Sequence, residues 1–452
     1  MNLRRQWMGF LLLGWCVCAP LLAANENPDF LRWNVRADKV DAEIDAWPLS
    51  RLLENVTAAT GWQVYIEPDT KRTISAKFKG LSSSEALKRL FGDLNYALLS
   101  QKNSRDKLYI FRTTLSEATQ LVAKPGPKAV GNELILTLKP GANAEEIARR
   151  LGGKIVGRID ELGIIRLRFE NDDAARLARD QLTNANDVAA VDANYYVEPP
   201  PDSERVALSS GLPFNLNPTV APNGKGVVVG LIDTAVQTLD ARYQAFLLQS
   251  ISVAGEADVS RSSPTHGTSM AETILRALAM SGTSSESSVR VLPIDVYGNN
   301  AMTTTWDVAQ GILEAIKNGA NPINLSLGSS GNTQFLQTLI ENTAKQGVLY
   351  FGAAGNEPVS TPTYPAAYPD VVAVTAGDKN GNIAAYANYG NFVDITAPGV
   401  SLVTYNNRTF VVSGTSAATA FATGTAAALQ SNLSLTPQQV RERLINSWGV
   451  KK

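Results

Sequence analysis

Short apolar runs recur through the second half of the chain, with helical stretches between them. Residues 227–232, 289–296, 323–327, 348–351 and 371–375 are continuous in apolar side chains and do not alternate with polar ones. A strand buried on both faces reads this way. Helical periodicity at 305–317 and 333–346 lies between the runs, so residues 215–450 are predicted to form an α/β domain, a mostly parallel sheet flanked by helices. In such sheets functional side chains gather at the carboxyl ends of the strands.

Upstream the pattern breaks into smaller pieces. In residues 128–200 a strand is expected at 133–138. Asn143 with Glu146 then opens a helix through Ile147 and Leu151, strands follow at 155–159 and 164–169, Asn171 opens a helix through Leu177 and Leu182, and 188–197 is extended. The order βαββαβ is a ferredoxin-like plan, which alone fixes no function. In residues 28–115 the stretch 33–44 is extended and Pro48 suits a first helical turn. Leu49, Leu52, Leu53 and Val56 follow at helical spacing. Short strands are expected at 63–66 and 73–78. Ser82 and Glu85 form a capping box for a helix through Leu87, Leu90 and Phe91, and strands at 95–100 and 107–111 close this small α+β block. Two seams separate the blocks. Residues 113–131 are irregular around Lys124-Pro125-Gly126-Pro127-Lys128. Residues 199–224 hold Pro199-Pro200-Pro201, Ser209-Ser210-Gly211 and Pro222-Asn223-Gly224, punctuation typical of linkers.

The first residues carry a different signal. Arg4 and Arg5 precede an apolar run at 8–24, and charge resumes at Glu26. This is the layout of a signal peptide, residues 1–24, with Leu22 an imperfect residue ahead of a cut after Ala24. A membrane anchor is the rival, but the run is shorter than the roughly 20 residues a spanning helix needs. The expectation is export to the periplasm or beyond, with no stable membrane insertion. Both cysteines, Cys16 and Cys18, lie in this segment, so a mature chain would have no disulfide and no thiolate chemistry. At 452 residues the chain is long enough for two or three domains. Its net charge of −1 supplies no bulk basic field for nucleic acid. One histidine leaves little to hold a catalytic metal, and Gly224-Lys225-Gly226 precedes a strand and is no phosphate loop. No cofactor is expected.

Four polar residues fall at loop edges of the predicted sheet. Asp233 ends the 227–232 run. His266, the single histidine, opens His-Gly-Thr-Ser-Met where a loop turns into a helix. Asn356 follows a strand, and Ser416 sits where a glycine-rich loop becomes an alanine-rich helix. The chemistry of each type is complementary. A serine hydroxyl needs a base to take its proton, and imidazole suits that task. A buried carboxylate on the far ring nitrogen fixes the tautomer and steadies the imidazolium. The oxyanion formed on attack needs preset donors, which a side-chain amide and a backbone N–H at a helix start can supply.

The stretches GVVVGLIDTAV, HGTSMAETI, INLSLG, VLYFGAAGNEP, YPAAYPDVVAVTAGD, YANYGNFVDITAPGVSL and SGTSAATA resemble those of the subtilisin-like (subtilase) serine peptidases, in the order that family has them. The resemblance implies an Asp233, His266 and Ser416 triad, Asn356 at the oxyanion position, and Ser326-Leu327-Gly328 pairing with substrate backbone, with Gly355 a further substrate-binding residue. Ala235, Ala417 and Ala420 depart from the family's usual glycine, methionine and proline. Structural calcium occurs in the family, but no dense aspartate run assigns a site here. The resemblance also implies that residues 128–200 are a propeptide that assists folding and inhibits the enzyme, with a maturation cut between about 198 and 215. Residues 28–115, through PLSRLLENVTAATGWQVYIEP and LSSSEALKRLFGDLNYAL, resemble the short N-terminal domain of secretins and TonB-dependent receptors, which implies an envelope protein partner. A plain spacer is the alternative. Two functions are thus carried forward: a secreted endopeptidase acting on polypeptides, and a catalytically silent member of the fold that docks other proteins.

Overall fold

Seven strands lie side by side, every neighbouring pair parallel, in the order Ile251–Ser252, Arg290–Asp295, Val228–Asp233, Ile323–Leu325, Tyr350–Ala353, Val371–Gly377 and Ile395–Pro398. The chain is described here by a computed structural model covering residues 29–35, 37–100, 106–122, 127–182, 185–199, 204–205, 214–221, 226–282 and 285–450. The expected signal peptide with its two cysteines lies outside these residues. So do the Pro and Gly clusters at 124–126, 200–201, 209–211 and 222–224.

The apolar runs form this sheet because both faces are covered. Ile232, Leu292 and Ile294 share one core with Trp306 and Ile312 of the helix Thr305–Lys317, and with Phe335 and Leu339 of the helix Gln334–Lys345. Val229, Leu231 and Val291 share another with the helices His266–Ser281 and Thr415–Leu433. Each fully buried Leu, Ile or Phe contributes roughly 1.5–3 kcal/mol. The latter two helices cross closely at Gly424, where a β-carbon would stand 2.5 Å from the Ile274 carbonyl oxygen. Only glycine lets the helix carrying Ser416 approach the helix carrying His266 to that depth.

The ferredoxin-like block is present as an antiparallel sheet in the order Val188–Asp192, Glu133–Leu138, Ile164–Arg168 and Lys154–Ile159. Its helices are Ala144–Leu151 and Asp172–Leu182. Glu133–Leu138 does not alternate cleanly. Leu134 and Leu136 pack on the block's own helices, while Ile135, with Ile159 and Ile164, packs among Trp306, Phe335 and Leu339. Both faces of this small sheet are therefore covered.

The stretch 28–115 contributes to two compact units. Residues 29–61 with 71–93 hold a three-stranded antiparallel sheet, Phe30–Asn34, Lys39–Pro48 and Thr73–Leu81, and the helices Leu49–Thr60 and Ser83–Phe91. The run expected to be extended through 33–44 is two strands with a turn between them. Pro48 ends a strand and stands at the helix cap instead of inside the first turn. The Ser82–Glu85 capping box is formed as expected. In the other unit Asn95–Leu99, Lys107–Phe111, Gln63–Ile66 and Gln120–Val122 make a four-stranded sheet.

Neither seam is simply irregular. Gln120–Val122, inside the first, pairs antiparallel with 64–66. Three residues are too few to show a period, so their pairing is invisible in the pattern. Around the second seam, Tyr196–Val197 pairs with Thr303–Thr304, Glu204–Arg205 with Phe410 and Val411, and Asn217–Pro218 with Glu286–Ser287.

Candidate active site

Asp233 is the last residue of its strand and only 1% exposed, with its carboxylate facing the His266 ring. His266 Nδ1 lies 2.8 and 2.9 Å from the two carboxylate oxygens. Oδ1 also accepts from the Thr234 N–H at 2.7 Å. A carboxylate at Nδ1 holds the proton on that nitrogen and leaves Nε2 as the free base. His266 begins a helix capped by Thr265, whose hydroxyl accepts from Thr268 N–H at 3.1 Å and donates to Ala235 O at 2.6 Å. Gly267 is required at the next position, because a β-carbon there would be 2.1 Å from the Thr234 carbonyl oxygen. The helix start is thus seated on the strand end that carries Asp233.

Ser416 is the second residue of the helix Thr415–Leu433 and 6% exposed. Its hydroxyl donates to the Ser326 carbonyl at 3.2 Å, while the Ser326 hydroxyl donates back to the Ser416 carbonyl at 3.0 Å. Among the described residues the Ser416 hydroxyl makes no hydrogen bond to His266. The expected proton path needs the Ser416 hydroxyl to leave the Ser326 carbonyl for His266. Such bonds often tighten only when substrate arrives. Asn356 Oδ1 accepts from both the N–H and the hydroxyl of Thr415, at 2.8 and 3.1 Å, and the Thr415 hydroxyl accepts from Gly355 N–H at 3.0 Å. These bonds fix the amide so that Nδ2 is left to donate. The Ser416 N–H stands at a helix N-terminus, where the backbone dipole favours negative charge. Ser326, Leu327, Gly328, Gly355, Asn356 and Ser416 line a single cavity of about 370 Å³.

Several supporting residues escape sequence reasoning. Gln237 is buried and takes Thr265 N–H and the Thr268 hydroxyl on Oε1 at 2.8 and 3.1 Å, tying the His266 loop down. Asn324, visible in the INLSLG stretch, donates to Ser326 Oγ at 2.9 Å and accepts from Thr423 at 3.0 Å. Asp295 is paired in register with Asp233 on the neighbouring strand, and burial raises its pKa above the ordinary carboxylate value. Its oxygens accept from Tyr297 and Gly298 N–H and from the Ser252 hydroxyl. Nothing in the local sequence marks Gln237 or Asp295, because each acts through residues distant in the chain. Among the described residues no group of three His, Cys, Asp or Glu side chains is placed to hold a metal ion.

The upstream chain covers the site. Glu198 and Pro199 line the same cavity, and the buried Tyr297 hydroxyl donates to the Glu198 carbonyl at 3.1 Å. The ferredoxin-like block is held by polar contacts to two helix starts. Asp192 accepts from Gln334 and Phe335 N–H at 2.8 and 3.0 Å, capping a helix whose own Thr333 supplies no cap bond. Asn194 accepts from Trp306 N–H at 3.1 Å. The Arg166 guanidinium lies over the Trp306 ring, 5.2 Å from its centre.

Known proteins match the same regions. The profile of the subtilase family matches residues 224–451, and that of the fervidolysin N-terminal prodomain matches 116–194, starting ahead of the expected boundary at 128. A thermostable alkaline protease of Halalkalibacterium halodurans is 29% identical over 332 residues, 69% of this chain and 85% of that protein. Subtilisin BL of Lederbergia lenta is 32% identical over 255 residues, 53% of this chain and 92% of that protein. The crystal structure of fervidolysin from Fervidobacterium pennivorans, a keratinolytic enzyme related to subtilisin, shares the fold. Its TM-score is 0.54 at 18% identity, covering 71% of this chain and 57% of that one. No helix of the described residues is long and apolar enough to cross a membrane. The chain belongs to the subtilase family: it is a serine-type endopeptidase of subtilisin-like fold, acting on polypeptides and made as a precursor with a prodomain.

Proposed function

We propose that Ser416 is the nucleophile, His266 the general base and Asp233 its orienting carboxylate, with Asn356 and the Ser416 N–H as oxyanion donors. The observation that carries this is the Asp233 carboxylate held 2.8 Å from His266 Nδ1, at the end of a sheet whose next loops bring Ser416 and Asn356 to one cavity. His266 Nε2 takes the hydroxyl proton as Oγ attacks the scissile carbonyl. The carbonyl oxygen becomes an oxyanion against Asn356 Nδ2 and the Ser416 amide. The same proton then passes from Nε2 to the leaving amine, the C–N bond breaks, and an acyl-enzyme remains. Water, deprotonated by His266, hydrolyses the ester and restores Ser416. Substrate lies extended along Ser326-Leu327-Gly328 by strand addition, and Gly355 borders the same cavity.

The precursor processes itself between about 198 and 215. Residues 128–200 serve as folding aid and inhibitor, and 215–450 as the catalytic domain. The chain is exported after loss of residues 1–24, and 28–115 dock an envelope protein. The rival reading, a silent docking member of the fold, draws on the Ser416 hydroxyl bonding to Ser326 and not to His266. A fluorophosphonate probe decides between them. Matured protein is expected to label at Ser416 and the Ser416→Ala form to stay blank. Equal labelling of the two, or none of either, would sink the triad assignment.

A further inference from the structure

A sheet built from three strands upstream of the matched prodomain, Gln63–Ile66, Asn95–Leu99 and Lys107–Phe111, and one inside it, Gln120–Val122, reaches the active-site cavity. Its edge strand Gln120–Val122 places Leu121 on the wall of the cavity that Ser326 and Pro127 also line. Next to it Ala118, 4% exposed, and Tyr65, 1% exposed, share one buried apolar cluster with Val359, which is 1% exposed. Tyr109, Phe111 and Leu121 pack around that cluster, and Tyr65 stacks on Tyr109 with ring centres 4.9 Å apart. Val359 lies three residues past Asn356. Its stretch of chain is tied back by Glu357 N–H to Asn388 at 2.8 Å and Tyr389 N–H to the Val359 carbonyl at 3.1 Å. An apolar residue of a catalytic loop is thus covered by side chains from outside the catalytic domain.

We infer that the 357–363 stretch is an interaction surface for this chain's own N-terminal sheet, and that the sheet is a second inhibitory contact beside the prodomain tail. The inhibitor then extends upstream of residue 116, where the matched prodomain begins, through Tyr65 and Tyr109. It stands on two feet: the ferredoxin-like block on the helices at 305 and 334, and the Gln120–Val122 edge on Val359. Only a few residues separate Val122 from Pro127, so release of one foot leaves the other holding it close, and the two affinities multiply. After the maturation cut the combined fragment stays longer on the enzyme than the prodomain could alone. This consequence rests on the self-processing reading, whereas the contact itself does not.

The test has two arms on the full chain. In the Ser416→Ala background, which needs no catalysis, amide hydrogen exchange is followed in residues 357–363 with and without Leu121→Lys. Exchange there is expected to rise at least tenfold, with a smaller rise for Leu121→Ala in case the lysine variant does not fold. Unchanged exchange in a variant of native circular dichroism overturns the contact. In the Ser416 chain the delay between the cut and the appearance of peptidase activity is measured. Leu121→Lys should shorten it several-fold, and more so when combined with Asp192→Ala. A delay that keeps its full length after the cut overturns the inhibitory role. Absence of any cut refutes self-processing, and with it the inhibitory role, while the exchange arm still decides the contact.

Discussion

The Ser416 hydroxyl has one proton, and in the precursor it is given to the Ser326 carbonyl at 3.2 Å. The base proposed for it, His266, is held at Nδ1 by the Asp233 carboxylate, which also accepts from Thr234 N–H. On the proposed mechanism, substrate supplies displacement: a backbone strand along Ser326–Gly328 competes for that carbonyl and frees the hydroxyl. Asn356 is fixed more firmly, by two bonds from Thr415. Asn356→Ala should therefore lower kcat by about 10²–10³ with little change in KM, the loss measured for such a donor in a related subtilisin and not one derived from this geometry. Steady-state kinetics on matured enzyme reads it directly. Asp295 offers a different test. Burial raises its pKa, so the folded chain holds that proton more tightly than the unfolded chain does. Its contribution favours folding below the ordinary carboxylate pKa and is lost as pH rises through the raised value. Asp295→Asn keeps an acceptor for Tyr297 and Gly298 N–H and removes the charge. In the Ser416→Ala background its melting temperature should gain on the parent at about pH 7 relative to about pH 5. A parallel pH profile for both forms would contradict this.

Among elements, legibility followed burial. The strands of the parallel sheet were visible because Val228–Asp233 and Val371–Gly377 are buried on both faces and carry unbroken apolar runs. Asp233, His266, Asn356 and Ser416 could be placed at loop edges for the same reason. Gln120–Val122 could not, because its partner lies more than fifty residues upstream and its length hides any period. The Asp192 cap was equally hidden, being supplied to the helix Gln334–Lys345 from another part of the chain. That cap ties the prodomain to the enzyme at a point far from the chemistry. Losing a capping carboxylate costs about 1 kcal/mol, so Asp192→Ala should weaken retention of the cut prodomain about fivefold, while Asp192→Asn, whose amide oxygen serves only one of the two N–H groups, should fall between Asp192→Ala and the parent. Surface plasmon resonance or co-elution of the fragment with the catalytic domain measures it, and equal retention of all three forms would remove the cap from the account.

At the scale of the whole molecule, the proposed inhibition by the upstream chain draws on the covered cleft. Asp233, His266 and Ser416 are 1%, 4% and 6% exposed while Glu198 and Pro199 line the cavity. The chain that lines the site is a peptide within reach of Ser416, which is why the proposed first turnover is self-cleavage. With a single histidine in the sequence, no other imidazole can substitute for His266. The most direct measurement is therefore the mass of the purified full chain after incubation, beside His266→Ala and Ser416→Ala. The expected result is a new N-terminus between about residues 198 and 215 in the parent alone, with both variants left whole. The same cut in either variant, at the same rate, would contradict the assignment of these two residues.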